Sequence, residues 1–338
     1  MRFRQVVPVL AMLLAIGITI GLLLGFAHER TARVEALRTH PPPGHMVSVG
    51  HHALHLDCRG EGSPVLLLEA GMDPFGSISW RLIHESLAEI TRVCAYDRAG
   101  IAWSEYAEGH RSWREIVEEL HTLLSVASID LPIVLAGHSM GGSYALSFAA
   151  HYPEELAGLV LIESSHPDMF EKLPAISDTP PRWMLSAMAA MRPFGIARLL
   201  MQSELEVKAL AVKDRDALKA VSGSSMGTVA REFQSIEQSL ENVRNIESLG
   251  TLPVLVISVG GAPDASRIPD FSQEQADAAW KIWTGLHRDL AALSNRSEHE
   301  LIPGGSHYLQ FSQPERLVES IVSWWNRMDF QATIPSPR

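Results

Sequence analysis

The chain has 338 residues, of which 46% are hydrophobic and 20% charged, an ordinary composition for a globular protein. Its formal net charge is −11 at pH 7, which argues against a nucleic-acid partner, because a protein that binds a duplex needs a basic face. The length suffices for one large core and one inserted segment.

The N-terminal segment differs from the rest of the chain. Arg2 and Arg4 precede an uncharged, mostly apolar stretch of 22 residues, 6–27, which is long enough to cross a membrane as a helix. We expect residues 1–27 to form a membrane anchor, with its basic end in the cytoplasm and the following domain outside the cytoplasmic membrane. The tripeptide Gly-Phe-Ala at 25–27 resembles a signal-peptidase site, so a cleaved signal segment and a secreted protein are the alternative.

Residues 28–45 contain three consecutive prolines followed by a glycine, and they predict a stiff linker between the anchor and the domain. Outside residues 1–45 the chain carries 23 basic and 37 acidic residues, so the predicted domain has a net charge of −14. An anionic bilayer surface would repel such a domain.

Short apolar runs separated by glycine-containing turns predict three strands at the start of the domain, at 46–49, 52–58 and 65–69. His51, His52 and His55 lie among these strands. No carboxylate or cysteine completes a recognised metal-ligand spacing around them. We therefore expect exposed hairpin histidines and no metal site.

Strands and helices alternate over residues 80–163. A helical pattern comes first, at 80–90. Apolar runs then predict strands at 92–96, 133–136 and 159–163, and segments with helical periodicity predict helices at 116–126 and 142–152. Such alternation predicts a doubly wound, mostly parallel sheet.

Residues 164–250 interrupt this alternation. They show no strand pattern, contain several prolines and methionines, and include helical stretches at 183–191 and 230–246. We interpret them as an inserted helical lid. Beyond the lid we predict a strand, a helix, a short last strand and a final helix, at 253–260, 273–293, 299–302 and 314–327. The core would then comprise 46–163 and 251–328, followed by a tail, 329–338.

The sequence GHSMG at 137–141 follows an apolar strand and precedes a small-residue helical segment. This arrangement is a G-x-S-x-G nucleophile elbow, which holds one side chain above the carboxyl edge of a sheet. The strained turn brings the strand and the helix so close together that glycine is needed two residues before and after the serine. Ser139 is therefore the candidate nucleophile.

Four motifs occur in the order found in serine-nucleophile α/β-hydrolases, and the chain resembles this family over residues 47–327 apart from the lid. The motifs are Gly71 with Trp80, YDRAG at 96–100, the elbow, and Gly-Ser-His at 305–307 followed by Gln-Pro-Glu at 313–315. The resemblance implies an α/β fold with an eight-stranded, mostly parallel, doubly wound sheet and an inserted helical lid. It implies hydrolase activity with no cofactor.

The resemblance also implies a base and an acid that follow Ser139 in the chain. His307 is the candidate base, because it lies in a glycine-rich loop after the last strand and an imidazole must take the serine proton. Two carboxylates compete for the acid. Glu163 ends the strand after the elbow, where a carboxylate is costly unless it is paired or functional. We prefer it to Asp264, which follows the next strand in a Gly-x-x-Asp sequence, and Asp168 is a weaker third candidate.

Acyl-transfer chemistry requires backbone N–H groups that stabilise the developing oxyanion. In the family that the chain resembles, one donor follows the nucleophile and the other lies in the loop after the third strand. These positions correspond to Met140 and Met72, and Gly71 would allow the turn before Met72. The family often has His-Gly where this chain has Ala-Gly at 70–71.

Cys58 and Cys94 are the two cysteines of the chain. The strand order of the family would place them at neighbouring ends of two antiparallel strands. An exported domain could bridge them by a disulfide. Two buried free thiols remain the alternative.

These features predict a serine hydrolase, esterase-like, that cleaves an ester or related acyl bond of a small apolar molecule through an acyl-enzyme. A serine nucleophile argues against epoxide hydrolase and dehalogenase chemistry, which uses a carboxylate. Other activities of the fold stay open: peptidase, C–C hydrolase, acyltransferase and cofactor-free haloperoxidase. A non-catalytic ligand-binding protein on the same scaffold is the alternative from another class. The sequence indicates a membrane partner through the N-terminal helix and no protein partner.

Overall fold

The computed structural model describes residues 3–173, 180–201, 207–267, 272–328 and 330. They form one eight-stranded sheet with the strand order β1-β2-β4-β3-β5-β6-β7-β8. The strands are β1 His45–Ser48, β2 Ala53–Arg59, β3 Leu66–Glu69, β4 Val93–Tyr96, β5 Ile133–His138, β6 Leu156–Ile162, β7 Gly250–Gly260 and β8 Ser294–Pro303. β2 is antiparallel to β1 and β4, and all pairs from β4 to β8 are parallel. The predicted doubly wound, mostly parallel sheet is confirmed.

Helices cover both faces of the sheet. The helices are α1 Phe3–Thr39, α2 His84–Leu87, α3 Trp113–Val126, α4 Met140–His151, α5 Met169–Lys172, α6 Arg182–Met191, α7 Ile196–Met201, α8 Val212–Val221, α9 Ser225–Gln234, α10 Ile236–Arg244, α11 Gln273–Ala291, α12 Leu309–Ser312 and α13 Pro314–Arg327. β5 shows how they bury the sheet: Ile133 and Leu135 join the core under α3 and α4, and Val134 and Ala136 join the core under α13. Every residue of β5 is buried, which explains the continuous apolar run.

Several element boundaries differ from those predicted. α3 begins at Trp113, three residues early, because Ser112 and Glu115 form a capping box at its N-terminus. The helix predicted at 80–90 is a 3-10 turn, Gly76–Trp80, followed by the single turn α2. The helix predicted at 230–246 is divided at Ser235, whose backbone is not helical. The last strand, β8, is longer than predicted, because its entire length pairs with β7. Nearly all of the predicted tail, 329–338, lies outside the described residues.

The N-terminal helix, α1, is continuous through most of the segment expected to be a linker. Its last turns are held by the domain. Arg33 donates to the carbonyl groups of Ala102 and Val221, and Ala36 is buried. Residues 28–39 are therefore helical and in contact with the domain. A short segment that contains three prolines, 40–44, connects this helix to β1.

His55 is buried, which corrects the expectation of an exposed hairpin histidine. Its Nδ1 lies 2.8 Å from Asp97 Oδ2, and its Nε2 contacts the carbonyl of Pro43. Asp97 also accepts from the backbone N–H groups of Ser77 and Trp103. Burial opposes protonation of His55, but the Asp97 carboxylate raises its pKa above the ordinary value. The pair therefore ties the turn after β4 to the first hairpin.

Cys58 and Cys94 face each other in the register of β2 and β4 and form a disulfide. The bond joins positions 36 residues apart and therefore links the antiparallel start of the domain to its parallel sheet.

Candidate active site

Three side chains named from the sequence meet at the carboxyl edge of the sheet. Ser139 follows β5, Glu163 follows β6, and His307 lies in the loop after β8. His307 Nε2 lies 3.0 Å from Ser139 Oγ, and His307 Nδ1 lies 3.4 Å from Glu163 Oε2. The imidazole of His307 is 42% exposed, so this group of atoms is open to solvent on one side. The carboxyl edge of a parallel sheet is where α/β proteins place their ligands.

The backbone at Ser139 explains the flanking glycines. Ser139 has φ 54° and ψ −125°, an uncommon conformation for a residue with a side chain. A Cβ on Gly137 would lie 2.4 Å from the carbonyl oxygen of Gly141, and a Cβ on Gly141 would lie 2.5 Å from that of Ala70. Any side chain at either position would collide with backbone. The turn that raises Ser139 above the sheet edge thus depends on these two glycines.

Glu163 is the carboxylate that meets His307. It is buried, and its φ of 46° turns the side chain off the end of β6. Oε1 accepts from the N–H of Val259 at 2.7 Å, and Oε2 accepts from Trp283 Nε1 at 3.0 Å. Burial alone would raise the pKa of Glu163, but hydrogen bonding to His307 and the N–H of Val259 hold that pKa below its usual range. Glu163 is therefore an oriented, ionised carboxylate.

The alternative acid, Asp264, has different neighbours. It is exposed, and its carboxylate accepts from the N–H and the hydroxyl of Ser266, 2 residues away. Asp168 lies in the lid, where it pairs with Arg244. Of the three carboxylates considered from the sequence, Glu163 is the one for which a contact with His307 is observed.

His138, next to Ser139, supports the loop that carries His307. Its Nε2 lies 2.8 Å from the carbonyl oxygen of His307, so Nε2 carries the proton and donates it. Burial, with a further contribution from His307, lowers the pKa of His138 to about 3. A neutral His138 therefore holds the His307 backbone in place.

Met140 follows Ser139 in the chain, and Met72 lies in the loop after β3. Met140 is the first residue of α4, where a backbone N–H has no partner within its own helix. Met72 follows Gly71, and a Cβ on Gly71 would lie 3.3 Å from the Ser139 Cβ. The loop after β3 is thus in contact with the serine.

Arg98, from the YDRAG motif, holds this loop. It is buried and donates to the carbonyl oxygens of Ala70 at 2.7 Å and Gly71 at 2.8 Å. The Gly71–Met72 peptide bond is trans, so its N–H points away from its carbonyl and hence away from Arg98. Arg98 thereby orients the N–H of Met72.

Two buried carboxylates fix Arg98. Glu69 at the end of β3 accepts from it at 2.5 Å. Glu232 of the lid helix α9 accepts two hydrogen bonds from it, each 2.9 Å long. The lid is therefore tied by a bidentate ion pair to the guanidinium that holds the loop beside Ser139. The sequence alone did not indicate this link, because Arg98 and Glu232 are 134 residues apart.

Asp73 is a further buried carboxyl group beside the serine. Its Oδ1 accepts from the N–H of Phe75 at 2.9 Å, and the hydroxyl of Tyr308 is a further hydrogen-bonding neighbour of this carboxyl group. Oδ2 lies 3.1 Å from the place where a Cβ of Gly71 would be. Burial raises the pKa of Asp73 to about 7. Sequence reasoning did not identify this residue.

We expect Asp73 to make stability depend on pH. Its folded pKa of about 7 exceeds the ordinary 3.8, so between these values the unfolded chain releases a proton that the folded protein keeps. Stability therefore falls as the pH rises from about 4 to 7, by at most roughly 4 kcal/mol. Asp73→Asn lacks this slope. Urea unfolding at pH 5 and pH 8 measures the free energy of unfolding of both proteins. Relative to the wild type, Asp73→Asn should be more stable at pH 8 than at pH 5. A stability difference between the two proteins that is the same at both pH values would contradict the prediction.

Comparisons with known proteins agree with this architecture. A family model described as the alpha/beta hydrolase family matches residues 48–320. The chain is 24% identical over 326 residues to an uncharacterized protein of Schizosaccharomyces pombe, covering 84% of this chain and 57% of that protein. The chain thus spans less than two thirds of that relative. It is 31% identical over 121 residues to a 2-hydroxy-6-oxo-2,4-heptadienoate hydrolase of Pseudomonas putida, covering 35% of this chain and 44% of the relative.

Among solved structures, an esterase from Thermogutta terrifontis matches with a TM-score of 0.61 and 22% identity, over 84% of this chain and 98% of that chain. This likeness shows the fold. The family model extends from the first hairpin into the final helix α13, and it includes Ser139, Glu163 and His307. The chain therefore belongs to the alpha/beta hydrolase family.

Proposed function

We propose that the protein is a serine hydrolase of the esterase type, which cleaves an ester or related acyl bond of a small apolar substrate. The observation that carries the proposal is the line of contacts from Ser139 through His307 to Glu163. A neutral hydroxyl is a weak nucleophile, and a base within hydrogen-bond distance activates it. Family membership supports hydrolase chemistry in general, and these contacts support the serine mechanism in particular.

In the proposed reaction His307 Nε2 takes the proton of Ser139 while Oγ attacks the substrate carbonyl. The resulting oxyanion accepts from the N–H groups of Met72 and Met140. Collapse of this intermediate breaks the acyl bond, and His307 returns the proton to the leaving alcohol. Water then attacks the acyl-enzyme with His307 again as base, which releases the acid and restores Ser139. Glu163 stabilises the imidazolium formed in each half.

We further propose that α1 anchors the protein in a membrane. The helix from Val7 to Thr39 includes an apolar window with mean hydropathy 2.6 and no buried residue. The domain therefore does not bury the apolar side chains of this window. The lid, 164–250, and the core, 46–163 and 251–328, would then lie outside the cytoplasmic membrane. If the segment is instead removed as a signal, the domain would be secreted.

C–C bond hydrolysis is the second candidate activity. A local similarity to a 2-hydroxy-6-oxo-2,4-heptadienoate hydrolase favours it. The proposed serine, histidine and acid could serve either reaction, because both pass through attack on a carbonyl group. Parallel assays with a p-nitrophenyl ester and with a ring-cleavage dienoate would separate the two activities.

A fluorophosphonate probe tests the proposal directly. Full-length protein in detergent should be labelled at one site, and peptide mapping should place the label on Ser139. Ser139→Ala should not react under the same conditions. If folded wild-type protein remains unlabelled, or if the variant is labelled equally, the serine hydrolase assignment is wrong.

The ion pair between Arg98 and Glu232 leads to a kinetic prediction. Glu232→Gln removes the charge that pairs with Arg98. Arg98 should then fix the Gly71 carbonyl, and with it the N–H of Met72, less firmly. Loss of a full oxyanion donor costs about 10²- to 10³-fold in kcat, so we expect a fall of about 10-fold with KM little changed. Glu237→Gln makes the same change at an exposed lid position and should leave kcat unaltered. Equal kcat values for both variants and the wild type would contradict the role of Glu232.

A further inference from the structure

The outer face of the lid helix α6 is apolar and exposed. Trp183 is 72% exposed, Met188 36% and Met191 37%. Trp183, Ala187 and Met191 are spaced by four residues and so lie on one side of the helix. Ile196, just beyond the following turn, is 37% exposed. Soluble proteins seldom expose so continuous an apolar surface unless something covers it.

The segment that follows α6 is attached to the N-terminal helix α1. A Cβ on Gly25 would lie 2.8 Å from the carbonyl oxygen of Phe194. One turn further along α1, Glu29 accepts two hydrogen bonds from Arg198, of 2.8 and 3.0 Å, and both side chains are buried. A side chain at Gly195 would meet Glu29. The lid is therefore docked on α1 at residues 25–29.

This docking point coincides with the end of the apolar stretch of α1. The stretch ends at residue 27, and a helix rises about 1.5 Å per residue, so Gly25 lies roughly 3 Å before its end. If the stretch fills the hydrocarbon core, the turn at 192–195 lies at the membrane boundary. The exposed side of α6 leads directly into this turn.

The side chains around this boundary are those that bilayer interfaces favour. Arg182 beside Trp183 is exposed and lies 3.5 Å from the carboxylate of Glu237, and Arg30 on α1 is also exposed. Arg192 stacks on Tyr106, with 3.9 Å from the guanidinium carbon to the ring centroid. Tryptophan with arginine is the combination found where apolar surface meets lipid headgroups.

We propose that the exposed face of α6, with Ile196, rests in the interfacial layer of the bilayer that α1 crosses. The inference depends on the membrane anchor proposed above, and it adds a lipid contact made by the lid. The bilayer is the occupant because the apolar face is continuous with the apolar helix that needs lipid. A lid held against the bilayer would favour, as substrate class, an amphiphilic ester carried in that bilayer.

Site-directed fluorescence tests the contact in the full-length protein. The two cysteines are joined in the disulfide, so one added cysteine can be labelled alone. Met191→Cys places a nitrobenzoxadiazole dye on the face of α6. Val126→Cys is the matched control, since Val126 is 54% exposed. It is the last residue of α3, which precedes β5, so it lies toward the amino ends of the parallel strands, away from the carboxyl edge that carries Ser139. Both proteins would be reconstituted in phosphatidylcholine vesicles.

We expect nitroxide-bearing lipid to quench the dye at 191 about threefold more than the dye at 126, and aqueous iodide to show the reverse order. Equal quenching at both positions by both agents would overturn the proposal. Protection of the dye at 191 from both agents would also overturn it, because a second copy or another protein would then cover the face. Fluorophosphonate labelling of the same samples reports on Ser139 separately, and carbonate extraction reports on the anchor.

Discussion

Ser139→Ala is expected to lower kcat/KM for p-nitrophenyl acetate by about 10⁴- to 10⁶-fold, the range seen when a catalytic serine is removed from a triad. The hydroxyl oxygen would form the covalent bond of the acyl-enzyme, and no other nucleophile takes that place 3.0 Å from His307 Nε2 among the described residues. The residual rate would come from binding and from the oxyanion donors, which the substitution leaves in place.

Ser143→Ala is the matched control for this measurement. Ser143 lies one turn further along α4, is buried, and donates to the carbonyl oxygen of Ser165. The same substitution there removes a hydroxyl that does not contact His307, and we expect kcat to stay within a few-fold of the wild type. Comparable losses at both positions would point to a general disturbance of α4. A Ser139→Ala variant with wild-type activity would refute the proposed nucleophile.

The parts of the fold that were predictable have local signals. The buried strands appear as apolar runs because both faces of the sheet are covered, and β5 illustrates this at every position. The elbow was predictable because its signal, a serine between two glycines after an apolar strand, lies within a few residues. The contact that requires Gly137 is also local, with Gly141, whereas Gly141 is required by the carbonyl of Ala70 on another segment. The order of serine and histidine along the chain indicated His307, although the number of residues between them does not give the distance between their side chains.

The parts that were not predictable depend on contacts between distant segments. His55 is buried because Asp97, 42 residues later, supplies a partner for its ring. The helix α1 continues past residue 27 because Arg33 and Glu29 find partners on the domain. The pairing of Arg98 with Glu232 requires the lid to fold back over the loop after β3. No local pattern encodes any of these contacts.

The choice between the two acids is of the same kind. Glu163 and Asp264 each follow a strand, so the sequence pattern fits both. Glu163 has a positive φ, and its side chain accepts hydrogen bonds from the N–H of Val259 on β7 and from Trp283 Nε1 on α11. Asp264 is engaged by its own turn through Ser266. The tertiary structure therefore favours the acid on β6, and kinetics can test it.

Glu163→Gln is expected to lower kcat for p-nitrophenyl acetate by about 10³- to 10⁴-fold. A glutamine offers one acceptor oxygen in place of two, yet the N–H of Val259, Trp283 Nε1 and His307 Nδ1 all need an acceptor here. Its amide N–H₂ would face at least one of these donors, which favours the wrong imidazole tautomer. The neutral amide also fails to stabilise the imidazolium that forms when Ser139 attacks.

Asp264→Asn is the matched control, because it makes the same change from carboxylate to amide at an exposed site. We expect its kcat to remain within a few-fold of the wild type. Thermal unfolding should show both variants folded, so that a loss of kcat reports on chemistry. A loss confined to Asp264→Asn would reverse the assignment, since the loop after β7 would then have to supply the acid. A loss confined to Glu163→Gln would place the acid on β6, where the strand and its strained last turn carry it directly beside the elbow.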